Sequence, residues 1–243
     1  MNLRGVDLSG ARLENASLWW SDLFNAKLDD ADMRYSNMWW SDLRAASFRN
    51  AKLSFAGLDR ALAMGADFSG AQLDNTEMSG TNFTQANLSG ARMYRANLLQ
   101  AVLARTGLAG VDLSEANLHN AQMPDCDLSG AILHRTSATG TNLRGARMRG
   151  TDLQGVNLNL ADLSGADLSG ADLSNAEMPN TKFVNARLTG ARLVEANMWR
   201  ADFSNADLTD ADFTGASLPD AVFTGAIFCR TRMPDRVDSS GCP

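Results

Sequence analysis

The chain has 243 residues, 44% of them hydrophobic and 21% charged, and a net charge of −6 with a pI near 4.9. That composition excludes collagen and a disordered tract, and its acidic balance argues against direct nucleic-acid binding, which needs a basic footprint. No apolar run approaches the ~18 residues of a membrane span, and Met1-Asn2-Leu3-Arg4-Gly5-Val6-Asp7 lacks the basic-then-apolar order of a secretory signal. A cytoplasmic protein without membrane contact is therefore expected.

From Leu3 to Met233 every fifth residue keeps one frame. Of those 47 positions, 45 are Leu, Met or Phe, and the exceptions are Ala63 and Ala138. Two residues earlier in each unit stand 46 small side chains, from Val6 to Thr231, of which 31 are Ala. The residue just before the large centre is often Asp or Asn, as in Ala161-Asp162-Leu163-Ser164-Gly165. A period of five suits neither an α-helix nor a strand. It suits a chain that turns a corner every five residues and buries one small and one large side chain on each side.

The pattern A-[D/N]-L-x-x resembles the pentapeptide-repeat family over roughly residues 2 to 233. The resemblance implies an all-β, right-handed quadrilateral parallel β-helix with four pentapeptides per coil. The 47 units would make nearly twelve coils, a rod of about 56 Å at the usual strand spacing. Stacking would bury what no single coil buries alone. Residues 20 apart then lie above one another, so outward positions form vertical ladders.

At the start of the chain the repeat is in frame from Leu3, and a first coil in that position offers an open edge. Self-pairing, cover by a partner, and a longer parent chain are the three expectations it raises. Seven outward aromatics follow within the first 55 residues: Trp19, Trp20, Phe24, Tyr35, Trp39, Trp40 and Phe55. The 20-residue map stacks Trp19 on Trp39, Trp20 on Trp40, and Tyr35 on Phe55, with Phe24 around the next corner. Such a cluster exceeds the apolar patch that a monomer usually exposes, and Trp and Tyr are enriched in binding hot spots. It is expected to bind a protein partner or a second copy; rings that merely brace the N-terminal coils, or that pack under a segment outside this chain, are the alternative. Further on, Ala63 and Ala138 predict an under-filled or pinched core, with Leu62 and Met64 turned inward at the first site.

His119 and His134 fall at outward positions almost a coil apart, and Cys126 takes a small inward position. No nucleophile elbow, metal-binding His pair or Gly-rich phosphate loop is present. A non-catalytic chain without cofactor or metal is expected.

Outward charges alternate in sign along the ladders Asp127-Arg147-Asp167-Arg187-Asp207, Asp172-Arg192-Asp212-Arg232, Asp162-Lys182-Asp202 and Arg12-Asp32-Lys52. They are read as a lattice that fixes coil register. Even so, residues 161–220 hold 4 Lys and Arg against 10 Asp and Glu. Six net charges over about 14 Å of rod compare with about eight phosphates on the same length of DNA. Some pentapeptide-repeat proteins mimic DNA on type II topoisomerases, so the alternative to a protein-binding rod is a mimic that binds or protects DNA gyrase. Its surface would be Asp162, Asp167, Asp172, Asp202, Asp207, Asp210 and Asp212. The chain departs from members with that role in having no loop inserted in the frame and no apolar segment beyond the repeat.

The domain reading is one repeat unit over 1–233 and a capping tail over 234–243. Phe228-Cys229-Arg230-Thr231-Arg232-Met233-Pro234-Asp235, followed by Gly241-Cys242, looks like an ending shared by many members of that family. Cys229 is expected on the outside of the last coil, and its pairing with Cys242 is left open by the sequence.

Overall fold

A computed structural model describes residues 1–235 and 237–242; Arg236 and Pro243 of the expected tail lie outside the described residues. The second residue of each pentapeptide bridges in parallel to the residue 20 further on, from Asn2↔Asp22 through to Asp212↔Arg232. Each turn of the chain therefore consumes four pentapeptides, and the fold is an all-β solenoid built of single-residue bridges. Between the end coils the large centres, among them Leu23, Phe48 and Phe203, are fully buried along the axis together with the small residues, while those of the first and last coils, such as Leu3 and Phe223, are partly buried.

The backbone hydrogen bonds explain the repeat position by position. The N–H of the first residue closes a turn onto the centre before it, as Ala11 does onto the Leu8 carbonyl at 3.0 Å. The second residue's N–H reaches back one coil (Asp32 to the Ala11 carbonyl, 2.9 Å), while the third and fifth reach forward (Leu13 to Asp32, 2.7 Å; Asn15 to Arg34, 3.0 Å). Only the fourth N–H lacks a carbonyl. Where the second residue is Asp or Asn, its side chain can supply the acceptor: Asp7 Oδ1 accepts from Ser9 N–H at 3.0 Å, and Asp162 Oδ1 from Ser164 N–H at 2.9 Å, while Arg49 N–H uses Asp29 of the coil before. Buried backbone donors must find partners, and Asp or Asn before the centre meets that demand.

The fifth residue of every unit from Gly5 to Arg230 has positive φ. Glycine holds 17 of these corners because it alone enters the left-handed region without a steric cost. Where threonine replaces alanine inside, its hydroxyl donates to the centre carbonyl one coil back, as Thr106 does to Phe83 at 2.8 Å and Thr181 to Leu158 at 2.8 Å.

Several expectations are corrected. Leu62 does not turn inward; it is 43% exposed. One coil on in the column of Ala63 stands Phe83, packed edge-on against Phe68 with centroids 5.6 Å apart. At Ala138 the bonding along the axis is regular: its N–H donates to the Asn157 carbonyl at 2.7 Å, the same length as Leu158 to Glu177. Cys229 is buried at 4% exposure rather than outside, because it is bonded to Cys242. Strands β1 (Thr231–Arg232) and β2 (Val237–Asp238) form an antiparallel hairpin, and Gly241 N–H donates to the Phe228 carbonyl at 2.7 Å.

Candidate functional site

Four of the seven N-terminal aromatics occupy positive-φ corners: Trp20 (53°), Tyr35 (60°), Trp40 (59°) and Phe55 (62°). Every fifth residue shares this conformation, and 29 of the corners hold a residue other than glycine, Leu160 and Arg60 among them, so what sets these four apart is that their side chains are aromatic. Trp20 and Trp40 stack with centroids 5.4 Å apart and planes 8° from parallel. Tyr35 and Phe55 stack at 5.1 Å and 6°. Both columns follow the 20-residue map. Trp19, Trp20, Tyr35, Trp39, Trp40 and Phe55 remain between 45% and 63% exposed.

Two residues of the predicted face behave differently. Phe24 is half-buried, with the guanidinium of Arg4 4.4 Å and that of Arg44 5.7 Å from its ring centroid. Its ring is thus occupied from within the chain. Trp39 forms no ring stack with Trp19 among the described residues. Its indole lies instead across Gly57, where an added Cβ would collide with Nε1 and sit 2.8 Å from Cδ1. An open groove of about 250 Å³ results, lined by Tyr35, Trp39, Phe55, Gly57 and Glu77 among others. Gly57 and Glu77 were missed by sequence reasoning. Their signal was present, since only Gly57 and Gly107 lack a side chain at the second position of a pentapeptide.

The acidic surface is internally engaged. Arg144 pairs with Asp162 at 3.2 Å, Arg149 with Asp167 at 2.6 Å, and Arg192 with Asp172 at 3.6 Å. Arg230 pairs with Asp210 at 2.6 Å and Arg232 with Asp212 at 3.2 Å. Asp202 accepts from Ser204, and Asp207 from Thr189 and Thr209. The ladder pairing expected from the sequence holds for Asp127–Arg147, Asp172–Arg192 and Asp212–Arg232. At Asp162, Asp167, Asp32 and Asp42 the arginine comes from the fourth position of a unit instead, as with Arg44 on Asp42 at 2.5 Å. A fourth-position side chain leaves the corner beside the second-position carboxylate, so it competes with the ladder neighbour. Burial pushes the Asp162 carboxyl upward, but hydrogen bonds from Ser164 and Arg144 outweigh it and hold the group below its usual value.

The family model for pentapeptide repeats matches overlapping stretches that together cover residues 2–159 and 161–234. The chain belongs to the pentapeptide-repeat family. Among solved structures, this repeat protein is similar to HetL, involved in heterocyst differentiation regulation in the cyanobacterium Nostoc sp. strain PCC 7120. That likeness is 28% identity over 96% of this chain and 92% of HetL, with a TM-score of 0.29. It is also similar to a trypsin-treated variant of QnrB1, a plasmid-mediated fluoroquinolone resistance protein, at 19% identity over 77% of this chain and 86% of that one, with a TM-score of 0.49. A pentapeptide repeat protein of the Arabidopsis thaliana thylakoid lumen is 32% identical over 42% of this chain and 68% of its own, with a TM-score of 0.30. No curated protein matches the sequence. Likeness at these levels assigns no partner to this repeat protein.

Proposed function

We propose that this pentapeptide-repeat protein is a non-catalytic interaction module whose N-terminal aromatic face binds protein. In this reading the chain is a right-handed quadrilateral rod of about twelve coils at 20 residues per coil, with residues 234–243 covering its C-terminal end. One observation carries the reading: Trp20, Tyr35, Trp40 and Phe55 hold rings 45–63% exposed in two stacked columns on adjoining coils, an apolar face larger than a monomer usually leaves in water. Stacked rings left about half in water are accounted for by a partner that covers them.

Light scattering on the parent and on the Trp19→Ser, Trp39→Ser double variant tests it, together with far-UV circular dichroism. The variant should keep the parent's spectrum while losing self-association or, where the parent is monomeric, binding to an isolated partner. An unfolded variant, or one that associates and binds as the parent does, would make the face structural. The acidic alternative finds less support, because most of its carboxylates already carry an arginine. Inhibition of DNA gyrase supercoiling by micromolar protein would revive it.

A further inference from the structure

Three departures from the repeat meet at one place. Tyr35 and Phe55 put aromatic rings at positive-φ corners, and Gly57 leaves the adjoining ladder position without a side chain. Trp39 lies over that gap. On the rung beyond Gly57 stands Glu77, whose Oε2 accepts from Asn97 Nδ2 at 2.7 Å and whose Oε1 has no donor among the described residues. Burial holds the nearby Asp59 carboxyl above its usual value, and the charge of Glu77 adds to that rise. A cation arriving beside these two groups would relieve their repulsion.

The protein covers several of its outward rings with its own cations. Arg4 and Arg44 flank Phe24, Arg60 lies 4.9 Å from the Trp40 centroid, Arg95 5.0 Å from Tyr94, and Arg200 4.3 Å from Trp199. Tyr35, Trp39 and Phe55 carry no such cation among the described residues. Each of those contacts uses arginine, the residue that supplies 19 of the 22 Lys and Arg side chains. A guanidinium is planar, weakly hydrated and able to stack on a ring while donating in its own plane.

We propose that the groove between Tyr35, Trp39, Phe55 and Glu77 receives an arginine side chain of a protein partner. Its guanidinium would lie against the aromatic rings and donate to Glu77 Oε1, completing the arrangement that internal arginines make elsewhere. The inference rests on the protein-binding reading of this face and names the chemistry that the partner must present.

The test is a titration of the isotope-labelled full chain with Nα-acetyl-L-arginine amide, following the Trp39 indole N–H resonance, assigned with Trp39→Phe. Saturable shifts with a millimolar dissociation constant are expected. Nα-acetyl-L-lysine amide should bind more weakly, and the uncharged norleucine amide should not bind. Glu77→Gln leaves the rings in place and should weaken arginine binding by about fivefold or more, because a charge-assisted hydrogen bond is lost. Silence with arginine at tens of millimolar, equal binding of the lysine or norleucine amide, or an unaffected Glu77→Gln variant would each overturn the inference. If arginine fails while Trp19→Ser with Trp39→Ser still abolishes association, only this inference falls and the face binds through apolar contact. If association survives that double variant too, the protein-binding reading falls with it.

Discussion

Replacing Tyr35 and Phe55 together by asparagine separates a binding face from a structural brace. Asparagine already holds nine of the positive-φ corners, so the backbone accepts it there. Relief of left-handed strain should return about 1 kcal/mol per corner. Against this, one stacked ring pair at 5.1 Å is lost, worth about 0.5–1.5 kcal/mol. The rings are 54% and 52% exposed, so each forfeits only about half of a buried side chain's value, roughly 1 kcal/mol. The opposing effects nearly cancel and leave a net loss of about 1 kcal/mol. Truncating a fully buried ring is different: Phe48→Ala removes the stack on Phe68 at 4.5 Å and should cost about 3–5 kcal/mol. Because a solenoid frays locally, hydrogen exchange read by mass spectrometry over residues 21–60 is the appropriate measure. The asparagine variant should stay close to the parent's protection while losing arginine binding. Should it cost as much as Phe48→Ala, the rings are a brace and the binding reading of this face is wrong.

Acid should destabilise the protein. Burial raises the carboxyls of Asp127, Asp162, Asp167, Asp207 and Asp212, but hydrogen bonds from serine, threonine and arginine outweigh it and hold each below the usual 3.8. Folding thus favours their ionised forms, and that stability is complete above the unfolded value and lost as pH falls through the folded values. Asp59, raised by burial, acts in the opposite sense but alone. Melting temperature should therefore hold from neutral pH down to about 5 and drop below about 4; a rise on acidification would contradict the hydrogen-bond assignment. At the C-terminus, the intact mass should be two hydrogens lighter before reduction than after. Cys242→Ser should loosen the last coil by about 2–3 kcal/mol, since the bond closes a span of 13 residues, and unchanged exchange over 226–233 would count against this. Ala138→Leu should be neutral or raise the melting temperature, because leucine restores the bulk that the other centres carry. A loss above about 1 kcal/mol would show the space already filled.

The period of five was enough to place every centre, every corner and the 20-residue stacking, because a strict repeat leaves a side chain no choice between inside and outside. Leu23, Phe48 and Leu163 could be assigned to the axis before any coordinates, and the stacked pairs Trp20–Trp40 and Tyr35–Phe55 followed from the same register. What the period could not decide was where a long outward side chain goes after it leaves the backbone. Arg44 folds back onto Asp42, Trp39 crosses to Gly57, and Arg4 and Arg44 cover Phe24. Those choices are made within a unit, as for Arg44, or between adjacent coils, as for Trp39 and Arg4, by rotamers competing for the nearest carboxylate or ring. The buried threonines show the same limit: their hydroxyls reach a carbonyl 23 residues back, a neighbour that exists only once coils are stacked. Cys229 reads as an outward fourth-position residue until the tail folds back and Cys242 is brought within bonding distance. Periodicity settled the frame of the rod, and the contacts between coils settled which of its surface groups are left for a partner.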